Sequence, residues 1–213
     1  MRRRRFLAAG TAAMAALAGC TGGGKALGDH PAGTALSAQS TLGPEPGTAE
    51  GTIVGFEDPS CHACARFETD VFPRIERELV DPGRVSFVYR PIPIVYEWAG
   101  AAVLAMESAQ SRQTETFWGL KEFYYRNQRG ISTDNVRDVT REYVDAETAL
   151  DAGAVMNDVA NRAHRDEVET NLDAAEKADV GGTPTFFLFK EGTFKTELVG
   201  PQDYSVFANA LGV

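Results

Sequence analysis

Cys61-His62-Ala63-Cys64 sets two thiols one helical turn apart with an imidazole between them. Three chemistries suit such a set. In thiol-disulfide exchange, Cys61 at a helix start faces free backbone N–H groups and the positive end of the dipole, which favour its thiolate. A protonated His62 would add a positive charge beside it. Cys61 is then the attacking thiol and Cys64, one turn along and more buried, the resolving one, with a Cys61–Cys64 disulfide as the oxidised form. The second chemistry is a purely structural disulfide, but so short a loop constrains little of the unfolded chain. The third is a copper(I) site of Cys61, His62 and Cys64, since a soft ion needs fewer ligands. A closed zinc site wants four, and no second Cys or His cluster exists in the chain.

The elements that must position this pair are legible in the hydrophobic pattern. Thr52-Ile53-Val54-Gly55-Phe56 reads as a buried strand. Cys61 to Leu79 reads as a helix with Phe67, Val71, Ile75 and Leu79 four apart, kinked near Phe72 by Pro73. The turn Asp81-Pro82-Gly83 leads into a second strand, Val85 to Tyr89, and a strand-helix-strand unit of this length makes the two strands parallel. From about residue 97 to 178 the pattern is helical throughout. Phe117, Leu120 and Phe123 mark one packed face, Val136, Val139 and Tyr143 another, started by Ser132-Thr133-Asp134, and a break falls near His164. Thr185 to Phe189, the turn Glu191-Gly192 and Thr193 to Val199 form a hairpin, and a last helix runs through Tyr204, Phe207 and Leu211. The expected fold is α/β: β-α-β, then β-β-α, on one mixed sheet interrupted by a helical insertion.

The N-terminus carries a different message. Arg2 to Arg5, the uncharged stretch Phe6 to Gly19 and the small residues before Cys20 describe an export signal of residues 1–19, too short to span a bilayer. Arg3-Arg4-Arg5-Phe6-Leu7 resembles a twin-arginine export motif, and Leu17-Ala18-Gly19-Cys20 resembles a lipoprotein box that leaves Cys20 as the lipid-modified first residue. Residues 21 to 50 hold seven glycines, three prolines and no aromatic or β-branched aliphatic residue. The expectation is a flexible tether over 20–50, with His30 solvated in it. Loss of residues 1–19, with four arginines and no acid, takes the formal charge from −9 to −13. That charge argues against sequence-independent binding to a phosphate backbone, and no nucleic acid is expected as a partner.

Two blocks carry a family resemblance: Thr52 to Pro91 with its Cys61-His62-Ala63-Cys64, and Val180-Gly181-Gly182-Thr183-Pro184-Thr185-Phe186-Phe187. Together with the helical insertion they resemble the DsbA-like thioredoxin-fold disulfide oxidoreductases over nearly all of residues 51–213. The resemblance implies that Pro184 is a cis-proline facing the sulfur pair and that Thr183 contacts substrate. It implies no cofactor. Reduced or misoxidised extracytoplasmic client proteins, a membrane protein that recycles Cys61 and Cys64, and the bilayer through Cys20 are the implied partners. Two positions depart from the family. The histidine often found immediately before the second cysteine is replaced by Ala63, and the buried acid expected six residues before Cys61 falls on Gly55. Glu57 or Asp58 is available as a relay in its place, although each reads as an ordinary loop carboxylate. The direction of exchange stays open between oxidase and reductase, with a copper chaperone and an anchored binding module as the readings from other classes.

Overall fold

The computed structural model describes residues 24–213, so the export segment, the Cys20 box and the first residues of the expected tether lie outside the described residues. Five strands form one sheet in the order β1-β3-β2-β4-β5. They are β1 (Ser40–Leu42), β2 (Gly51–Glu57), β3 (Val85–Pro91), β4 (Thr185–Lys190) and β5 (Thr193–Val199). β2 and β3 are parallel, and the other neighbouring pairs are antiparallel. β2, β3 and β4 are buried along almost their whole length, which is why their sequences are nearly continuous apolar runs. Glu191 and Gly192, both at positive φ, close the β4–β5 hairpin as expected.

Between β2 and β3 the chain forms α1 (His62–Arg66), a π turn (Phe67–Val71), α2 (Phe72–Ile75) and a second π turn (Glu76–Val80). Pro73 sits in the first turn of α2, where it has no intrahelical bond to lose, so the irregularity expected at Phe72 is a widened turn just before it. The insertion is α3 (Trp98–Gln110), α4 (Thr114–Asn127), α5 (Val136–Glu147), α6 (Ala152–Asn161) and α7 (Arg165–Lys177), and α8 (Tyr204–Leu211) ends the fold. The break near His164 falls between α6 and α7 as expected. The start of α5 differs from expectation: Asn135, not Ser132-Thr133-Asp134, is its first flanking residue, and the Asn135 side chain accepts from Ser132 N–H at 2.7 Å.

Each face of the sheet has its own core. Ile53, Phe87, Tyr89, Phe186 and Leu188 pack with the Cys61–Val80 helical segment, α3 to α6 and α8. Val54, Phe56, Val88, Phe187 and Phe189 pack with α7 and with Leu27 and Ala32.

That second core corrects the tether. Residues 24–50 are not a linker: they make three 3₁₀ turns, pair as β1 with β3, and bury Leu27 and Ala32. His30 is half-buried, not solvated. Its ring stacks on Phe194 at 4.7 Å and meets Phe187 and Phe189, its Nδ1 accepts from Ala32 N–H, and burial with nearby Lys25 pushes its pKa down. Composition misled here because what holds the segment comes from elsewhere in the chain. Fully buried Arg90 on β3 donates to the carbonyls of Ala32 and Thr34 at 3.0 and 2.6 Å, while its other nitrogens donate to Asn171 Oδ1 and to the Thr170 carbonyl of α7.

Candidate active site

β2 delivers the chain to the end of the sheet, and Cys61 is the residue flanking the start of α1, with extended backbone. Its N–H donates to the Asp58 carbonyl, and its own carbonyl accepts from Ala65 N–H and, with that of Pro59, from the Gln128 side chain. The insertion thus reaches back to fix the backbone of the thiol loop. Neither cysteine is in a disulfide; Cys61 is 8% exposed and Cys64 fully buried. Of the two sulfurs only that of Cys61 belongs to a residue with any exposure.

The electrostatics divide them further. The Cys61 pKa is lowered to about 5: the Cys64 thiol donates to its sulfur, and adjacent Thr183 and the backbone N–H groups of Cys64 and Ala63 add to the lowering, together outweighing the opposing effect of burial. Burial pushes the Cys64 thiol well above its ordinary range, and the negative Cys61 and Glu57 beside it add to the rise. At neutral pH the pair is one thiolate and one thiol.

Thr183-Pro184 arrives from the far side of the insertion. The bond is cis, the Thr183 carbonyl lies 3.3 Å from Cys61 Sγ, and the Pro184 carbonyl accepts from Gly200 N–H. Cys61, Cys64 and Thr183-Pro184, 122 residues apart along the chain at their closest contact, are thereby brought together. His62 is placed differently. Its ring is exposed and meets Tyr96 edge-on at 6.0 Å, and the groups that lower the Cys61 pKa most are Cys64, Thr183 and the backbone, not the imidazole. Among the described residues no three His, Cys, Asp or Glu side chains are arranged to hold a metal ion.

Two carboxylates read as ordinary loop groups are nothing of the kind. Asp58 is fully buried and accepts four hydrogen bonds, from Ser60 N–H and Oγ and from the N–H groups of Ile94 and Val95. It ties the thiol loop to the chain after β3 and leaves Ile94, Val95 and Tyr96 half-exposed beside Cys61. Glu57 closes the gap left at Gly55. The two share a face of β2, and a Cβ at Gly55 would sit 3.1 Å from the Phe186 ring and 3.4 Å from Glu57 Oε1. The space a side chain at 55 would use is taken by the Phe186 ring, with the Glu57 carboxyl at its edge. Burial and neighbouring Glu68 hold the Glu57 carboxyl well above the usual carboxylate range. Two-residue face parity with Gly55 was the signal that could have found it. Nothing in the local sequence marked Glu68, Lys121 or Gln128, which meet the site only through packing.

The same architecture recurs among known proteins. A family model described as thioredoxin matches residues 43–204. The probable disulfide bond formation protein D of Bacillus cereus is 24% identical over 159 residues, covering 72% of this chain and 71% of that protein. Oxidised BdbD from Bacillus subtilis superposes with a TM-score of 0.72 at 21% identity, covering 90% of this chain and 98% of that one. The alpha-DsbA1 protein of Wolbachia pipientis does so at 0.68 and 18% identity, over 82% of this chain and 89% of its own.

Proposed function

As a member of the DsbA-like thioredoxin-fold family this chain is a thiol-disulfide oxidoreductase, and we propose that it acts as an oxidase on client proteins outside the cytoplasm. The observation that carries the direction is the low pKa of Cys61, about 5. A thiolate stabilised in the reduced pair, and absent from the disulfide, favours the reduced enzyme and so makes the disulfide a strong acceptor of electrons.

A client thiolate attacks Cys61 Sγ of the disulfide, the Cys61–Cys64 bond breaks, and Cys64 leaves with the electron pair and takes up a proton. The second client thiolate attacks the client sulfur of the mixed disulfide and expels Cys61 as a stable thiolate. The client loses two electrons and the enzyme gains them; a membrane redox partner removes them again. Thr183-Pro184 lies against Cys61 where a client chain would dock, and half-exposed Ile94, Val95 and Tyr96 flank it with apolar surface.

Export, lipidation at Cys20 and twin-arginine transport belong to the same proposal, supported by the N-terminal motifs; among the described residues no helix is long and apolar enough to cross a membrane. Ala26 bridges Thr193 at the end of the sheet opposite the thiols.

Measuring the Cys61/Cys64 potential tests the direction: a value more positive than about −180 mV is expected, and one near the thioredoxin value of about −270 mV would overturn it in favour of a reductase. Cys64→Ala should accumulate mixed disulfides with clients and Cys61→Ala should not; the reverse pattern would exchange the two roles. Mass spectrometry of membrane-derived protein should find the lipid on Cys20, and an unmodified Cys20 would remove the anchor.

A further inference from the structure

Gln128 opens the 3₁₀ turn Gln128–Gly130 after α4, and its buried Nε2 donates to the Pro59 and Cys61 carbonyls at 2.8 and 3.0 Å. Those bonds fix the turn, and with it Arg129, against the thiol loop. Two depressions of about 440 and 400 Å³ meet over Gln128 and share it with His62 and Arg129, so they form one groove. Ser60 and His62, the neighbours of Cys61 in the chain, both line it. The groove therefore runs alongside the reacting sulfur, on the side where the insertion meets α1.

Its two ends differ in charge. The end at Tyr96 and Trp98 has one carboxylate, Glu97. The other end is lined by His62, Arg66, Arg126 and Arg129 and by no carboxylate. This reverses the character of the chain, which has 30 Asp and Glu against 21 Lys and Arg, four of those arginines in residues 1–19. Arg126 is paired with Glu122 on its own helix at 2.7 Å. Arg66 and Arg129 are exposed, and neither has an ion-pair partner among the described residues. Arg66 lies four positions after His62 on α1, on the same helix face. Two unpaired guanidinium groups at one end of a groove attract a negative partner and repel a positive one, and their planar forks match the two oxygens of a carboxylate.

We propose that this groove selects clients by charge, with Arg66 and Arg129 receiving the carboxylates of an acidic client segment while the client cysteine engages Cys61. The inference rests on the oxidoreductase reading and names the substrate class that reading leaves open. A helix rises about 1.5 Å per residue, which puts Arg66 roughly 7–8 Å past Cys61 along α1, the span of two to three residues of an extended chain at about 3.3 Å each. The carboxylates that it receives accordingly lie two or three residues from the client cysteine. A groove walled by side chains and continuous with the exposed Tyr96 ring fits an extended peptide, whereas a lipid surface is flat.

The test uses the oxidised full-length protein and three dithiol peptides of one sequence, carrying Glu, Gln or Lys two and three residues from the cysteines. Each oxidation rate is divided by that of the same peptide with hydroxyethyl disulfide, a neutral oxidant, which removes the intrinsic reactivity of its thiols. In about 20 mM salt the Glu peptide should react roughly tenfold faster than the Gln peptide and the Lys peptide more slowly than either, and the three should converge in about 500 mM salt. Arg66→Gln/Arg129→Gln should bring the Glu and Gln peptides to within about twofold of each other, and Arg66→Glu/Arg129→Glu should reverse the ranking. Lys177→Gln/Lys195→Gln, which removes the same charge from exposed positions on α7 and β5, should keep the wild-type ratio. Equal rates for the three peptides in the wild type, or a ranking that survives Arg66→Gln/Arg129→Gln, would overturn the groove as a selector. Equal peptide rates together with binding to phosphatidylglycerol vesicles that the same double variant loses would give the arginines to a lipid surface and overturn it as well. Failure of the wild-type protein to oxidise any of the peptides would instead overturn the oxidoreductase reading.

Discussion

Glu57 and Arg90 sit on adjacent strands, one position out of register, and both are wholly buried, but they occupy opposite faces of the sheet and opposite electrostatic situations. Arg90 donates to four acceptors and stacks near Phe56, and although burial lowers its pKa to about 10 it stays charged. Glu57 has no protein donor and is pushed the other way, toward its neutral form. A buried charge whose valences are filled holds structure together; one left unfilled beside a reacting sulfur is free to trade its proton. The structural face and the chemical face of this domain differ in that respect more than in composition.

The comparison breaks if Arg90 can be removed cheaply. Arg90→Met leaves three carbonyls and the Asn171 side chain without their donor and should cost about 3–5 kcal/mol in denaturant unfolding, while the Cys61 thiolate pKa stays near its wild-type value. A loss below about 1 kcal/mol would mean the N-terminal segment is held by its apolar contacts alone.

Glu107, on α3 near Arg90, extends the structural face to a pH effect. Burial raises its pKa from the usual 4.5 to about 7, with Glu167 adding to the rise and Arg90 opposing it. Below pH 4.5 both folded and unfolded chains carry its proton. Between 4.5 and 7 the unfolded chain has lost it and the folded chain has not, so stability falls as pH rises, by at most about 3 kcal/mol. Urea unfolding at pH 5 and pH 7 should show a smaller decline in Glu107→Gln than in the wild type.

Asp58 sharpens the comparison from inside the active site, because its four donors make it a structural charge within a chemical neighbourhood. Asp58→Asn should cost about 2 kcal/mol and loosen residues 94–96 in hydrogen exchange, with little change in the Cys61 thiolate titration. Glu57→Gln is the opposite case and the smallest in stability. It should be neutral or stabilising by about 1 kcal/mol at pH 7, since it removes a carboxyl kept neutral at a cost, yet it should slow disulfide reduction. A marked destabilisation would put Glu57 with Arg90 after all.

Much of this was readable in the chain. The four strand runs, their turns and the C-x-x-C at a strand-to-helix junction fixed the order of those elements, because period and punctuation are local properties, while β1 went unread within the expected tether. Thr183-Pro184 was legible as a second block. The segment 24–50 was not, since Gly and Pro content speaks only of the cost of ordering a chain and is silent about the stacking rings of Phe187, Phe189 and Phe194 waiting for His30.

The sequence by itself determined where the thiol pair lies and the fold that presents it, since a C-x-x-C at a strand-to-helix junction puts its first thiol at a helix start wherever that helix lies; the acidity of Cys61 also needs Thr183, which only folding brings beside it. Only the tertiary structure decided which acid is buried beside the pair. Gly55, Glu57, Glu68 and Lys121 acquire their meaning from sharing one dry volume between β2, the helical segment after Cys64 and α4. Desolvation and carboxylate pairing are set by neighbours in space, and no spacing along the chain records them.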